Sequence, residues 1–113
     1  MPDHFHVLID SKDVSPSDIM KSFKLSFGYN YRKRKGLKSG RIWQARYWDH
    51  IIRNREDLNN HIDYIHYNPV KHGMINNPFH YEHSSASKYL KDGYYSNDWG
   101  VKESFELEEE FGE

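Results

Sequence analysis

The stretch Asn54–Lys71, NREDLNNHIDYIHYNPVK, carries the clearest structural pattern in this chain of 113 residues. Asn54 at its start and Asp57 three residues later match the residues that open a helix. Apolar residues then recur at helical spacing and define a buried face: Leu58, Ile62 and Ile65. We expect a helix that begins after Asn54 and that Pro69 ends.

Two polar residues of this helix share one flank beside its buried face. At about 100° per residue from Leu58, Tyr64 falls at about 240° and Asn68 at about 280°. Tyr67 falls at about 180°, directly away from the buried face. Tyrosines at a core edge are commonly packing residues, so the spacing alone leaves Tyr64 as either a packing residue or a reactive one.

His4-Phe5-His6 stands at the start of the chain and opens a segment, 4–9, that alternates like a strand. Two histidines at positions i and i+2 of a strand project from the same side, as two ligands of one metal ion would. They could equally be ordinary residues of a polar face. A helix packed over this strand would bring Asn68 to the same place, where its amide oxygen could be a third ligand.

These residues make a coherent chemistry if they meet. A Mg²⁺ or Mn²⁺ ion with open coordination positions would act as a Lewis acid on a phosphate, and Mn²⁺ tolerates imidazole better. The phenolic oxygen of Tyr64 would attack that phosphate and form a covalent link to DNA. If these residues meet, Tyr64 would be the nucleophile and His4, His6 and Asn68 would be the metal ligands.

The remaining elements are predicted from local patterns. Ser15 and Pro16 open a first helix, whose aromatic positions recur every four residues to about Lys33. The segment 42–52 is rich in aromatic and β-branched residues and predicts a strand. A short helix is expected over 84–90, followed by a turn at Asp92-Gly93.

Charge is unevenly distributed along the chain. Residues 103–113 contain six glutamates and no Lys or Arg, so a formal net charge of −1 conceals +5 on residues 1–102. A basic run is interleaved with aromatic residues, as suits single-stranded nucleic acid, although a solvated basic loop has the same composition. The DNA-binding candidates are Arg32, Lys33, Arg34, Lys35, Lys38, Arg41 and Arg46, with Lys71 as a further phosphate contact.

Composition excludes several classes of protein. Without cysteine the chain has neither disulfides nor a thiolate zinc site. It has no apolar run long enough for a membrane span and no signal-peptide pattern, so we expect a soluble cytoplasmic protein. Residues 1–100 are expected to form one domain and 101–113 an acidic, disordered tail.

Four blocks, in this order, resemble a known family. Residues 1–9 resemble the MPNHxHLL strand of the HUH single-tyrosine, IS200-like transposases. The stretch 43–44 with 47–53, followed by 64–71, resembles the branch associated with repetitive extragenic palindromes (REP), the REP-associated tyrosine transposases. Ser84-Ser85, Tyr89 and Trp99-Gly100 resemble the C-terminal segment of that branch.

The resemblance implies a ferredoxin-like α+β fold, an antiparallel sheet with helices on one face. It implies cleavage and rejoining of single-stranded or hairpin DNA through a 5′-phosphotyrosine link to Tyr64, with His4, His6 and Asn68 as metal ligands. Asp49 and His50 match a block with a structural or DNA-contacting role. His61 and His66 are expected at the surface or behind the ligands.

One departure qualifies this expectation. In the family, a strand and a helix precede the histidine strand, whereas this sequence begins at the methionine of that motif. We therefore expect a fold that lacks its first strand and helix, through a truncated or misassigned start. An inactive nucleic-acid-binding remnant and a small metal-binding domain without a DNA role are the alternatives, and the sequence leaves monomer and dimer open.

Overall fold

The computed structural model describes residues 1–101, so the acidic tail lies almost wholly outside the described residues. The chain divides into two compact units. We call Met1–Val7, together with the described residues from His50 onward, the histidine unit. We call Leu8–Asp49 the basic unit. None of the helices described is both long and apolar enough to cross a membrane.

The basic unit is built on helix α1, Pro16–Lys35. Pro16 occupies the first turn, as predicted, and Gly36 ends the helix in the left-handed conformation with φ 69°. Phe23 and Phe27, one turn apart, lie against the indole of Trp43, with ring centroids 5.9 and 5.2 Å away. These contacts fold the segment after Gly40 back onto α1.

The histidine unit is built on helix α2, Arg55–Lys71. The Asn54 side chain accepts a hydrogen bond from the Asp57 amide at 2.8 Å, which confirms the predicted cap. Pro69 lies inside the last turn and the helix continues to Lys71, so our prediction that Pro69 ends it is wrong. The amide of His72 still bonds the Asn68 carbonyl at 3.0 Å, and that of Met74 bonds the Pro69 carbonyl at 2.9 Å.

The rest of the histidine unit packs around aromatic rings. A 3₁₀ turn, Pro78–His80, and helix α3, Ala86–Lys91, lead to Tyr95, whose ring stacks on Trp99 at 4.0 Å. Gly100 follows with φ 72° in a tight space, since a Cβ there would lie 2.9 Å from Pro78. This position therefore requires glycine on both conformational and steric grounds.

The predicted strands are absent from the described residues. Residues 4–9 and 42–52 have no β-ladder in the structure, so the expected antiparallel sheet is not observed in residues 1–101. Alternation of side chains fixes only which face each residue takes, whereas a strand exists only if a neighbour pairs with it. Phe5, Val7 and Ile9, which would cover one face of a sheet, are 42%, 53% and 45% exposed.

Candidate active site

Helix α2 turns polar side chains, not only aliphatic ones, into the interior of the histidine unit. Tyr64, His66 and Asn68 are 2%, 2% and 1% exposed, whereas Leu58 and Ile65 on the predicted apolar face are only half-buried. The Tyr64 hydroxyl and the Asn68 Oδ1 are screened from solvent. Burial of such groups is costly unless other groups meet them, so this face is organised around polar contacts.

The histidine segment lies beside this face. The ring centroids of His4 and His6 are 5.2 Å apart, and their planes are nearly perpendicular at 89°. The His6 ring meets Tyr64 edge-on, with centroids 5.5 Å apart. His6 and Asn68 line the same cavity. The structure therefore brings together the four residues that the sequence singled out as nucleophile and ligands.

Asp3 orients His4 and was not predicted. Its carboxylate accepts a hydrogen bond from His4 Nδ1 at 2.7 Å, and this bond lowers the pKa of Asp3. With Nδ1 protonated, the lone pair of His4 is on Nε2, an atom screened from solvent. A carboxylate behind an imidazole is the usual support of a metal-binding histidine. The adjacency of Asp3 and His4 is the signal that could have found it.

These atoms suit a divalent ion. Two imidazoles and an amide oxygen form a mixed nitrogen and oxygen donor set. His4 would offer Nε2 to an ion and Asn68 would offer Oδ1, and both atoms are screened from solvent. Because the planes of the two imidazoles are nearly perpendicular, their in-plane lone pairs can converge on one point. The residues present therefore fit the group that the chemistry requires.

Lys71 reaches the candidate nucleophile. Its ammonium nitrogen lies 5.0 Å from the centroid of the Tyr64 ring, within the range of a cation–π contact. The contact places a positive charge beside the ring of Tyr64. Lys71 is exposed in the last turn of α2, so the same ammonium is also accessible to a phosphate.

A second cluster lies at the start of α2. Ligand atoms of His50, Asp57 and His61 all lie within 4.8 Å of one another, a spacing that could hold a metal ion. The two imidazoles, however, are stacked at 4.4 Å with their planes only 19° apart. A metal ion lies in the plane of the imidazole that binds it, so one ion could join both rings only after one of them turned.

As it stands, this cluster is a hydrogen-bonded support for the helix end. Asp57 receives His50 Nε2 at 2.8 Å and the Arg53 amide at 3.0 Å, and these bonds lower the pKa of Asp57 to about 2. His61 is half-buried and its Nδ1 donates to the Asp57 carbonyl at 2.8 Å, so its predicted place at the surface or behind the ligands stays a prediction. Asp49, just before His50, is exposed.

His66 is buried, which rules out the surface, one of the two places predicted for it, and leaves a place behind the ligands as a prediction. Its Nδ1 lies 2.8 Å from the Tyr95 hydroxyl and its Nε2 lies 2.7 Å from Ser85 Oγ. The Tyr95 hydroxyl in turn donates to Asp63 at 3.0 Å. Burial lowers the pKa of His66 to about 4, so the imidazole is neutral near neutral pH. No local sequence signal could have found this network, because Ser85 and Tyr95 lie 19 and 29 residues away.

The predicted DNA-binding residues other than Lys71 all belong to the basic unit. Most are exposed on α1 or on the loop after it, where their charges are available to phosphates. Arg32 differs, because its Nε donates to the Gly40 carbonyl at 3.2 Å and the side chain is half-buried. It is therefore committed to holding the loop rather than presented to a ligand.

Known proteins resemble this chain over most of its length. The family model described as an IS200-like transposase matches residues 1–68. A REP-associated tyrosine transposase of Escherichia coli strain K12 is 35% identical over 101 residues, covering 88% of this chain and 58% of that protein. A protein of Haemophilus influenzae described in similar terms is 37% identical over 111 residues, covering 88% of this chain and 62% of its own length.

A solved structure extends the likeness to the fold. The structure of a REP-associated tyrosine transposase bound to a REP hairpin matches with a TM-score of 0.66 and 35% identity, covering 90% of this chain and 56% of that one. This chain thus spans about three-fifths of the length of the relatives it matches. With the family match over residues 1–68, these findings show that the chain belongs to the IS200-like transposase family and is similar to its REP-associated tyrosine transposases.

Proposed function

We propose that this chain cleaves and rejoins single-stranded DNA next to a hairpin, with Tyr64 as the nucleophile. The observation that carries the proposal is the edge contact between the Tyr64 and His6 rings, 5.5 Å apart, on a buried helix face that also holds Asn68. The hairpin is proposed as substrate because the structurally similar transposase is bound to a REP hairpin. The cytoplasm, where such DNA is found, is the proposed location.

Each residue has a defined part in the proposed reaction. The Tyr64 oxygen attacks the scissile phosphorus and loses its proton, the bond from phosphorus to the 3′ oxygen breaks, and that oxygen takes up a proton. The products are a 5′-phosphotyrosine and a strand that ends in a 3′-hydroxyl. Lys71, 5.0 Å from the Tyr64 ring, stabilises the phenolate as it forms.

The proposed metal ligands are His4, His6 and Asn68, with Asp3 fixing the tautomer of His4. A bound Mg²⁺ or Mn²⁺ ion supplies Lewis acidity at the scissile phosphate. We also propose that residues 4–9 act as a strand of a ferredoxin-like sheet. The likeness to the solved transposase and the exposed apolar residues Phe5 and Val7 support this. An increase in β-structure in circular dichroism on DNA binding would test it.

The experiment for the whole proposal traps the covalent intermediate. Labelled hairpin DNA with a single-stranded flank is incubated with the protein and Mn²⁺, and the adduct is resolved by denaturing electrophoresis. Tyr64→Phe should abolish the adduct. Tyr67→Phe is the matched control, because Tyr67 is on the same helix but contacts Trp99, with ring centroids 6.2 Å apart. An adduct that survives in Tyr64→Phe would disprove the assignment.

A binding-only function is the second candidate. It is favoured by the absence of any β-ladder in residues 1–101, since the histidine segment then lacks the sheet that would hold it rigidly. This candidate predicts salt-sensitive binding of hairpin DNA with no adduct in Mg²⁺ or Mn²⁺. Binding without an adduct in the wild-type protein would therefore favour it over the transposase.

A further inference from the structure

A cavity of about 130 Å³ opens beside the candidate ligands within the histidine unit. His6 and Asn68 form part of its wall, and Ser85 lines it as well. Ser85 stands at the residue before α3 and its side chain does not cap that helix. Its hydroxyl is instead joined to the buried His66. The buried His66 thus holds the Ser85 hydroxyl in the cavity wall beside the candidate ligands, where it can contact a bound substrate or product.

The direction of the hydrogen bonds can be worked out along the chain of four groups. The Tyr95 hydroxyl has one proton, which it donates to Asp63 at 3.0 Å. Tyr95 must then accept from His66 Nδ1, which lies 2.8 Å away and is therefore the protonated nitrogen. Tyr95 keeps its proton near neutral pH, because burial, and secondarily Asp63, raises the pKa of Tyr95.

The tautomer of His66 determines whether the Ser85 hydroxyl donates or accepts a hydrogen bond. His66 is 2% exposed and each of its ring nitrogens meets a hydroxyl rather than a carboxylate, so only one of the two nitrogens carries a proton. With that proton on Nδ1, Nε2 is an acceptor, and Ser85 Oγ at 2.7 Å must donate to it. A serine has a single hydroxyl proton. Towards the cavity, Ser85 therefore presents lone pairs alone and acts as a hydrogen-bond acceptor.

We propose that Ser85 accepts a hydrogen bond from the 3′-hydroxyl of the cleaved strand and holds it beside His6 and Asn68 for rejoining. The inference rests on the proposed function, in which cleavage creates one new donor, that hydroxyl, at the reacting phosphate. A phosphate oxygen has no proton to offer, so an obligate acceptor disfavours intact backbone at this point. His66, Tyr95 and Asp63 are positioning residues, since they act through Ser85.

The test compares two oligonucleotides that differ by one oxygen. Their sequence is that of the strand released by cleavage, ending in a 3′-hydroxyl or in a 3′-deoxy nucleotide. Binding is measured by fluorescence anisotropy with Mn²⁺ present, in Tyr64→Phe protein so that no chemistry intervenes. The 3′-hydroxyl strand should bind about threefold to tenfold more tightly, the range expected for one net hydrogen bond.

Three variants separate this role from a structural one. Ser85→Ala should bind both strands equally, and Ser85→Thr, which keeps a hydroxyl, should restore the preference. Ser87→Ala is the matched control, because Ser87 is exposed on the same short helix and should leave the preference unchanged. If Ser85→Ala acts only through the structure, it should weaken the binding of both strands and leave the ratio of their affinities at the wild-type value. That result would overturn the proposal.

Other outcomes are equally decisive. Equal binding of both strands by the protein with Ser85 intact overturns the inference while leaving the transposase proposal standing. A preference that follows the terminal base rather than the 3′ oxygen overturns it in favour of a contact to a base amino group. Failure to bind either strand overturns both proposals. A 3′-hydroxyl preference in a protein that gives no Tyr64 adduct would keep the contact to Ser85 but would overturn its role in rejoining together with the cleavage activity.

Discussion

The basic unit and the histidine unit divide the chemistry of the chain between them. All eight histidines lie in the histidine unit, which buries Tyr64, His66 and Asn68 in its interior. The basic unit has six more basic than acidic residues, and among residues 8–49, all of them described, Gly28 alone is buried. The histidine unit thus has an organised interior, whereas the basic unit has a charged surface over a few packed aromatic rings.

This difference matches the two demands of the proposed function, because binding and catalysis need different amounts of packed core. Binding to phosphates needs charge and exposure but little rigidity, because it does not depend on the exact position of each cation. Chemistry at one phosphate needs side chains fixed by packing and by hydrogen bonds. The network of His66, Ser85, Tyr95 and Asp63 supplies such constraint in the histidine unit. Substitutions in the two units should therefore differ in their effects on DNA affinity and on stability.

The largest expected effect is the loss of DNA affinity from the basic unit. Replacing Arg34, Lys35 and Lys38 by Gln removes three exposed cations. Because each phosphate contact on a single strand adds about 0.7 to the salt slope, the slope should fall by about 2, and affinity at about 0.15 M salt by about 50-fold. Fluorescence anisotropy against a salt series measures both.

The control for this prediction neutralises three exposed cations of the histidine unit. Changing Arg55, Lys88 and Lys91 to Gln removes the same charge and should leave the salt slope nearly unchanged. An equal loss in both triple variants would mean that net charge alone governs binding and that the basic unit has no special role.

The second prediction concerns the loss of stability at low pH. The histidine unit alone should contribute to it through histidine, because the basic unit has none. The pKa of His66 is about 4 in the folded chain and 6.5 as a free side chain, so the unfolded state binds more protons between these values. Stability should be unaffected above about pH 6.5 and fall by about 2 kcal/mol by pH 5. Urea denaturation at pH 7 and pH 5 measures the difference.

Two variants check that His66 is the cause. His66→Gln should lower stability at pH 7 but flatten its pH dependence, whereas His83→Gln, at an exposed site, should keep the wild-type dependence. Asp57, whose pKa is lowered to about 2, loses its stabilising effect only as the pH falls from 3.8 towards that value, below the range of the measurement. A wild-type protein equally stable at both pH values would contradict the burial of a neutral His66.

A comparable effect is expected when a methyl group is added at two left-handed glycines, one in each unit. Gly36→Ala in the basic unit meets nothing within 4 Å and should cost about 1 kcal/mol of backbone strain. Gly100→Ala in the histidine unit carries the same strain and also places Cβ 2.9 Å from Pro78, so it should cost about 2 kcal/mol more. Urea denaturation of both variants compares them, and equal costs would mean that Pro78 yields.

The sequence predicted the features that depend on neighbouring residues. It did not predict those that depend on residues distant in the chain. The helices were predictable because Pro16, Asn54 and the spacing of the apolar residues act within one or two turns. The strands were not, because alternation over 4–9 cannot supply a partner strand. His4, His6, Tyr64 and Asn68 were singled out by type and spacing, yet the burial of His66 depends on Ser85 and Tyr95, which no local pattern connects to it.

The smallest expected effect tests local order at the first residue before each long helix. Asn54 caps α2 with a side-chain bond to the Asp57 amide at 2.8 Å, whereas Ser15 makes no side-chain bond at the start of α1. Asn54→Ala should therefore cost about 1 kcal/mol of stability and Ser15→Ala close to nothing. Urea denaturation decides between them. A larger loss from Ser15→Ala would show that the basic unit depends on precise local bonding after all, and would reverse the contrast between an organised unit and a charged surface.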